Sequence, residues 1–307
     1  MTAPNLPLVP LERLPPLPPL QLAVVGHVEM VSFLAVERLP EPGTIAHATG
    51  FAEEPAGGGA VVAAQLARLS GRPVAFFTAL GRDAVGERAA ERLAALGLEL
   101  HVAWREASTR RAVSFCDASG ERTITVIGDR LAPVAADRLP WERLASCDGI
   151  FATACDAAAL RLSRRGRVLA ATPRLRLAEL RRAGVKLDAL IGSGLDPGEA
   201  VPADALPLPP RLRLATEGPR GGWAEPGGRF AAPKLARPPI DAYGCGDSFA
   251  AGVTAGLAAG WSDAEAISLG CHCGAACATA PGPYSGQLRL APGPNQEEEW
   301  AILDSNQ

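Results

Sequence analysis

Six short, mainly apolar runs recur along the chain, and no other feature limits its fold as strongly. They occupy residues 22–26, 74–79, 149–153, 168–171, 189–191 and 212–216. Continuous apolar stretches of this length are typical of strands that are buried on both faces of a parallel sheet. Helical patterns lie between several of them, at residues 60–70, 86–96 and 177–183. This alternation predicts an α/β fold whose ligands gather at the carboxyl ends of the strands.

Two segments interrupt the alternation. Residues 31–51 are rich in turn-forming proline and glycine, whereas residues 111–127 alternate with the two-residue period of an exposed sheet. A turn-like Asp-Ala-Ser-Gly sequence at 117–120 divides the second segment, which predicts a hairpin. We expect residues 31–51 and 104–130 to form a small sheet apart from the large domain. That domain is then assembled from residues 21–30, 52–103 and 131–290.

The two ends of the chain carry little sign of a core. Residues 1–20 are crowded with prolines and lack the charged head and apolar run of a signal peptide, so they predict a disordered or extended tail. Residues 291–307 show no periodic pattern and predict a C-terminal tail. An uncharged run covers residues 266–288, but its histidine, glycines and prolines argue against membrane insertion. The sequence therefore predicts a soluble protein without a membrane partner.

The charge and the cysteine content favour an ordinary cytoplasmic enzyme. The chain has 307 residues and a formal net charge of −3, which gives no electrostatic footprint for nucleic acid. Its seven cysteines form no paired framework, so a reducing compartment is expected. Cys271, Cys273 and Cys277 cluster around His272, but their spacing is not that of a zinc site. We interpret them as small buried residues of a helix.

Residues 241–252, Asp-Ala-Tyr-Gly-Cys-Gly-Asp-Ser-Phe-Ala-Ala-Gly, carry the clearest chemical signal. Gly244 and Gly246 allow a tight turn whose N–H groups converge, and the following helix directs its positive end at the same point. The carboxylate of Asp247 stands beside this predicted anion site. A base next to a bound anion is the arrangement that phosphoryl transfer to an alcohol requires. The alternative is that Asp247 or Ser248 only caps the helix.

This stretch resembles the Asp-Thr-x-Gly-Ala-Gly-Asp-x-Phe signature of the ribokinase-like sugar kinases, the PfkB family, with Ala242 and Cys245 at the threonine and alanine positions. The resemblance implies a three-layer α/β/α sandwich with a mainly parallel central sheet and a small β-sheet lid over the acceptor site. It also implies transfer of the γ-phosphoryl group of ATP to a hydroxyl group of a small sugar-like acceptor. Asp247 would be the base, and Gly244, Cys245 and Gly246 would form the anion hole. By analogy, an apolar lid face is a hypothetical homodimer contact.

A second resemblance concerns the acceptor. Residues 56–60, Ala-Gly-Gly-Gly-Ala, are similar to the family's acceptor loop, so Gly57 and Gly58 are expected to meet sugar hydroxyls. However, the family's sugar-binding aspartate and asparagine fall on Val31 and Val61, and valine does not bind hydroxyl groups. Glu29 or His27 is a candidate substitute. Residues 81–86 also match a family pattern, in which Asp83 is expected to cap a helix.

The resemblance further implies the positions of nucleotide and cations. Ser193-Gly194-Leu195-Asp196 is similar to the family's Asn-x-x-Glu, so Ser193 and Asp196 are placed at the nucleotide, and Asp196 or Glu199 would support Mg²⁺ through water. The loop at 216–222 is similar to the family's phosphate loop, with Thr216, Gly218 and Gly221 near the nucleotide. Asp241, the Tyr243 carbonyl and Gly282 correspond to a monovalent-cation site, and activation by K⁺ is left open.

Three functions are compatible with these residues. The first is an ATP-dependent kinase for a sugar or sugar-like alcohol, and the second is a nucleoside kinase of the same family. The third is a nucleotide or sugar sensor that has lost efficient catalysis, a hypothesis that the valines at 31 and 61 and the serine at 193 motivate. The presence of both Asp241 and Asp247 favours an enzyme.

Overall fold

The computed structural model describes residues 5–118, 120, 122–202 and 204–290 of the chain. Within these residues, the strands of the large domain form one nine-stranded sheet and those of the small domain a four-stranded sheet. The strands are β1 (Leu22–Val25), β2 (Glu29–Ala35), β3 (Gly50–Ala56), β4 (Val74–Gly81), β5 (Leu98–Arg105), β6 (Arg111–Cys116), β7 (Arg122–Ile127), β8 (Gly149–Ala152), β9 (Val168–Ala171), β10 (Ala189–Ser193), β11 (Leu212–Thr216), β12 (Gly222–Glu225) and β13 (Gly228–Phe230). The helices are α1 (Gly58–Ser70), α2 (Ala84–Ala94), α3 (Ala157–Ser163), α4 (Leu177–Ala183), α5 (Cys245–Ala258) and α6 (Asp263–Cys277).

The large sheet is sandwiched between two layers of helices. Because side chains alternate along a strand, β1 sends Val24 to one face, and Ala23 and Val25 to the other. Helices α1, α2, α5 and α6 contribute buried residues to the first core, whereas α3 and α4 contribute to the second. All six apolar runs are strands of this sheet, so the predicted α/β architecture with a mainly parallel central sheet is confirmed.

The order of the strands places a crevice beside β1. The sheet runs β13-β12-β11-β10-β9-β8-β1-β4-β5, with parallel pairing from β11 to β5 and an antiparallel hairpin of β12 and β13 at one edge. The chain first builds outward from β1 to β4 and β5, and then resumes on the other side of β1 with β8. A parallel sheet binds ligands where the direction of building reverses, at the carboxyl ends of its strands. That point lies between β1 and β8, next to Gly26 and Thr153.

The predicted small sheet is present, in the order β3-β2-β6-β7. Strand β2 pairs in parallel with β6, and β6 pairs with β7 in the predicted hairpin. The sheet begins slightly before residue 31, because β2 starts at Glu29 and β3 runs to Ala56. The start of β2 and the end of β3 lie beside the start of α1, so this end of the small sheet lies next to the crevice. Several apolar side chains of the lid are exposed, including Phe51 and Ile127, and their role in a dimer stays a prediction.

The N-terminal segment departs from the expectation of disorder. Residues 5–20 are extended apart from one short 3-10 turn, and Leu6, Leu8, Leu11, Leu14 and Leu17 pack on the first core. The segment is also held by hydrogen bonds to α6, where the Val9 N–H donates to Ser268 and its carbonyl contacts His272 Nε2 at 2.9 Å. Regularly spaced leucines between the prolines supply the burial that a disordered tail lacks. The predicted C-terminal tail, residues 291–307, lies outside the described residues.

Helices α5 and α6 approach each other through glycines. A Cβ atom added at Gly252 of α5 would lie 2.7 Å from Gly270 Cα of α6, so a side chain would not fit there. Ser262 and Glu265 form the predicted capping box at the start of α6. Cys271, Cys273 and Cys277 are buried along α6, as expected. Within the described ranges, no helix combines the length and apolar character needed to cross a membrane.

Candidate active site

Helix α5 begins at the crevice without a side-chain cap. Gly244 precedes its first residue with φ 79° and ψ 0°, a left-handed conformation that glycine adopts readily. Among the described residues no side chain accepts a hydrogen bond from the first-turn N–H groups. A Cβ atom added at Gly246 would meet no atom within 4 Å, so this turn faces open space. The Cys245 N–H donates to the Ala242 carbonyl at 3.4 Å, whereas the Gly246 N–H has no acceptor among the described residues. This N–H group and the positive end of the helix dipole make the point suited to an anion.

Asp247 lies in the first turn of α5 and is partly buried. Burial raises its pKa to about 6, and nearby Glu199 and Glu29 act in the same direction. The positive charges of Arg174 and Arg122 oppose this shift and favour the carboxylate. A carboxyl group with a pKa near 6 is ionised at neutral pH yet more basic than a free aspartate, which suits a general base.

The predicted acceptor loop lies against Asp247. A Cβ atom at Gly58 would be 3.0 Å from Asp247 Oδ1, whereas one at Gly57 would be 3.1 Å from His27 Nε2 and 3.4 Å from Glu29 Cγ. Gly57 has φ 87°, a conformation that disfavours other residues. The structure thus brings together Glu29, Gly57, Gly58 and Asp247, which the sequence placed at the acceptor. A substrate between them would contact backbone rather than side chains at residues 57 and 58.

Val31 and Val61 occupy a small apolar cluster rather than the surface of the crevice. Both are fully buried and pack with Tyr243 and Tyr284. At the two positions where the family has polar residues, this chain therefore has buried apolar side chains. No sugar-binding group remains at either position.

A group of arginines lies near the acceptor loop, and none of them was among the residues predicted from the sequence. Arg110 Nε lies 3.0 Å from Glu29 Oε2, and Arg130 Nη1 donates to the Arg174 carbonyl at 2.9 Å. Burial, with the charges of Arg130 and Arg110, lowers the pKa of His27 to about 3, so this imidazole is neutral. The available signal was position, because Arg130 follows β7 and Arg174 follows β9, where loops of the site begin.

The residues predicted to support magnesium converge on Arg174. Arg174 Nε donates to Glu199, and its Nη2 donates to Asp196 Oδ2 at 3.0 Å. Buried Glu199 also accepts from the Ser193 N–H at 2.9 Å, while Asp196 accepts from the Gly198 N–H. Among the described residues no three metal-ligating side chains come together. This donor set fits a cation that keeps its water shell and is held mainly by the substrate, not a site built by protein ligands.

Asp241 ties two loops together beneath the anion site. Its Oδ1 accepts from the Tyr243 N–H at 2.8 Å and its Oδ2 from the Gly282 N–H at 2.9 Å. The Tyr243 carbonyl accepts from the Cys277 thiol at 3.4 Å. The three residues predicted for a monovalent cation are thus neighbours, and their oxygen atoms retain lone pairs for such an ion.

The Cys245 side chain beside this point is a neutral thiol. A hydrogen bond to Cys277, together with burial, holds the pKa of Cys245 well above its usual value, so the thiol at this position stays protonated.

A cavity of about 520 Å³ opens on the other side of the α5 turn. It is lined by Thr216, Gly218 and Gly221 of the predicted phosphate loop and by Asp241, Cys245 and Gly246. Apolar walls come from Phe230, Leu235 and Phe249, and Gly120 of the lid hairpin closes one side. Ser193 and Asp196 do not line this cavity, although the Gly194 N–H bonds to the Thr216 carbonyl. The volume and mixed lining are those of a small-molecule site.

Two of the comparisons with known proteins identify the chain's relatives. A family model described as pfkB family carbohydrate kinase matches residues 20–161 and 204–289, well over half of the sequence. A comparison with curated proteins finds no match.

Solved structures resemble most of the chain at low sequence identity. A ribokinase from Thermotoga maritima has a TM-score of 0.70 and 20% identity, covering 93% of this chain and 99% of its own. Ribokinase of Arabidopsis thaliana, solved with ribose and ATP, has a TM-score of 0.69 and 19% identity over 88% and 96% of the two chains. An adenosine kinase from Sinorhizobium meliloti has a TM-score of 0.67 and 19% identity over 92% and 100%. The ribokinase-like fold expected from the sequence is confirmed.

Proposed function

Because the chain belongs to the pfkB family of carbohydrate kinases, which are phosphotransferases, we propose that Asp247 is its catalytic base and that it transfers the γ-phosphoryl group of ATP to a hydroxyl group of a small, sugar-like acceptor. One observation carries this proposal. Asp247 lies between an uncapped helix start that suits a phosphoryl group and a glycine loop that leaves room for an alcohol.

The chemistry of the transfer follows from this arrangement. The acceptor hydroxyl approaches Asp247 past Gly57 and Gly58, and its proton passes to the carboxylate as the new O–P bond forms. The bond between the γ-phosphorus and the bridging oxygen breaks, and ADP departs with that oxygen. The N–H groups at residues 244–246 stabilise the negative charge of the transferring group, since they are fixed in place before the reaction.

The proposed donor site is the cavity beyond the α5 turn. Its volume of about 520 Å³ lies within the range of small-molecule sites. Glycines at 218 and 221 permit close approach of phosphates, while Phe230 and Phe249 offer apolar surface to a base. The Arabidopsis relative was solved with ATP, which supports ATP as donor.

The protein's own residues would have limited roles in holding cations. Asp196 and Glu199 would hold Mg²⁺ through water, in competition with Arg174. When bound, magnesium would neutralise the triphosphate. Asp241, the Tyr243 carbonyl and Gly282 would hold K⁺, and their role would be to fix the loops on either side of the anion site.

Two other functions are kept as alternatives. A nucleoside kinase is favoured by the likeness to adenosine kinase and by the apolar cluster of Val31 and Val61. A sensor without efficient turnover is favoured by the loss of polar side chains at those same positions. The lid would serve each of these functions equally, so the acceptor decides between them.

An acceptor screen tests the proposal. Purified protein is mixed with ATP and Mg²⁺, with and without K⁺, and ADP release is measured for neutral sugars, sugar acids, sugar phosphates and nucleosides. We expect at least one acceptor to give ADP in equal amount to the phosphorylated product. Nucleosides as the best acceptors would establish the nucleoside kinase instead. Binding of ATP without ADP release from any acceptor would establish the sensor.

The pH dependence should report Asp247. Since the carboxylate is the active form, we expect kcat/KM to rise about tenfold per pH unit below about 6 and then to level off. Arg174→Gln removes a positive charge that lowers the pKa of Asp247, so the acid limb should move to higher pH. The matched control is Arg165→Gln, an exposed arginine just before β9, whereas Arg174 follows the other end of that strand. An acid limb that stays in place, or moves to lower pH, would contradict the assignment.

A further inference from the structure

The acceptor half of the crevice contains arginines that form no ion pair. Arg110 pairs with Glu29, and Arg174 pairs with both Glu199 and Asp196. Arg130 and Arg176 have no carboxylate within ion-pair distance among the residues that the structure describes. Two guanidinium groups are therefore outside any ion pair, although the four carboxylates of this region, Glu29, Asp196, Glu199 and Asp247, equal the four arginines in number.

Arg130 is the better placed of the two for a ligand. It is half-buried, and its one protein hydrogen bond on the described chain goes to the Arg174 carbonyl, which leaves other N–H groups of its fork unused. Burial and the charges of Arg176 and Arg110 lower its pKa. The Glu29 carboxylate opposes this shift, and an anion bound beside Arg130 would oppose it further. The unused N–H groups of Arg130 are therefore available to a negative group.

Arg176 adds a separate sign that this loop is shaped for a purpose. It has φ 80° and ψ 123°, and it is the one non-glycine residue with positive φ in the described chain. Such a conformation is costly for a residue with a Cβ atom, and residues of this kind cluster at ligand sites. The loop from residue 173 to 176 thus holds Arg176 beside Arg130 and presents the Arg174 carbonyl to it.

The charges belong to the acceptor and not to the nucleotide. Arg110, Arg130 and Arg174 act on His27 and Glu29, which lie against the acceptor loop. None of them lines the cavity assigned to the nucleotide. Val31 and Val61, by contrast, are fully buried and present no side chain to the acceptor. Recognition of the acceptor is therefore left to other side chains, and these arginines are the positively charged ones beside the loop.

We infer that the acceptor carries an oxyanion, either a phosphate ester or a carboxylate, and that Arg130 and Arg176 bind it. The anionic group would lie toward the loop after β9, while the hydroxyl to be phosphorylated points at Asp247. Arginine is suited to this task because its planar fork matches the oxygens of phosphate and carboxylate groups. This inference rests on the proposed kinase function, whose acceptor it specifies.

Matched pairs of acceptors test the inference. We compare kcat/KM for ADP release between each neutral sugar and its anionic counterparts. The sets are ribose with ribose 5-phosphate, fructose with fructose 6-phosphate, and glucose with glucose 6-phosphate and gluconate. We expect an anionic member to exceed its neutral partner at least tenfold, and the gluconate arm separates carboxylate from phosphate. Arg130→Gln should raise KM for that anionic acceptor about ten- to a hundredfold, as expected for loss of a charged hydrogen bond, with kcat changed less than twofold.

The other variants make the result specific. Arg176→Gln should also raise KM, and because Arg176 is exposed its loss should not affect folding. Arg130→Lys should recover part of the affinity, which separates lost charge from a disturbed structure. The control Arg165→Gln should leave KM unchanged. Equal effects of all three glutamine variants would overturn the inference, as would neutral acceptors that match or exceed their anionic partners.

Calorimetry separates the inference from the function on which it rests. The same acceptors are titrated into the protein with a non-hydrolysable ATP analogue. Binding of an anionic acceptor that Arg130→Gln weakens, without turnover, would support the inference and defeat the kinase proposal. Turnover of neutral acceptors alone would support the kinase proposal and defeat the inference. If no anionic acceptor binds or reacts, the inference is wrong.

Discussion

Asp247→Asn is expected to lower kcat by about 10²–10⁴-fold at pH 8, the usual contribution of a general base. The amide keeps the size of the side chain but does not accept the acceptor's proton. The helix start and the cavity beyond it are unchanged, so the affinity for ATP should stay within a few-fold. Steady-state ADP release and calorimetry with ATP measure the two quantities separately.

The same substitution should stabilise the protein. Burial raises the folded-state pKa of Asp247 to about 6, above its usual range, so the ionised carboxylate costs the folded state free energy. Removing it should raise the free energy of unfolding by about 1–3 kcal/mol, a range that allows for partial exposure of the group. The gain should be complete above about pH 6 and should vanish as the pH falls toward about 4, where the wild-type group is protonated in both states.

Asp204→Asn is the matched control, because Asp204 is exposed and lies outside the site. It should change neither kcat nor the free energy of unfolding. Loss of activity in Asp247→Asn accompanied by lower stability would indicate a helix-capping role, the alternative considered for this residue. Unchanged turnover would remove Asp247 from the chemistry altogether.

Gly246→Val is expected to lower kcat/KM at least about 100-fold while the protein stays folded, since a displacement of about 1 Å at a reacting centre can have that effect. An added side chain at Gly246 meets no protein atom within 4 Å and projects into the space assigned to the phosphoryl group. Its φ is not in the left-handed region, and valine is a better helix former than glycine. The thermal midpoint should therefore be unchanged or higher.

Gly252→Ala, six residues further along the same helix, should have the opposite outcome. Its Cβ atom would lie 2.7 Å from the Gly270 backbone, so α5 and α6 must separate. We expect a loss of about 1–3 kcal/mol or more in the free energy of unfolding, as for other overpacked cores.

The control for Gly246→Val is Ala94→Val on the exposed face of α2, which tests the effect of a β-branched side chain in a helix. A fully active Gly246→Val variant would show that phosphate does not bind at this turn.

The sequence predicted the parts of the fold that rest on local pattern. All six apolar runs are strands of the large sheet, and the hairpin at 111–127 was also recognised. Strand β5 was missed because it lies at the sheet edge and is only half-buried, so charged residues such as Glu99 and Arg105 interrupt its apolar character. Strand β13 has three residues and forms only because β12 is there to pair with it.

The site was predictable where a motif lies in one stretch of chain. The turn at 244–247 and the loop at 56–60 contain their own glycines, and the structure brings Gly58 against Asp247. The arginines were not predictable in this way, because Arg110, Arg130 and Arg174 come from separate connections. Their grouping beside the acceptor loop exists only after folding has brought them together. The burial of Val31 and Val61 in one cluster likewise depends on residues that are distant in sequence, such as Tyr243 and Tyr284.

The sequence by itself determined the layered α/β architecture, the family and the turn that bears Asp247, because periodic burial and glycine conformations are properties of neighbouring residues. Only the tertiary structure decided that Asp196 and Glu199 share Arg174, that the N-terminal leucines pack on the core, and that Arg110 and Arg130 lie near His27 and Glu29. Ion pairing and burial depend on contacts between residues that are distant in sequence. These contacts form only when the strands of the sheet are assembled.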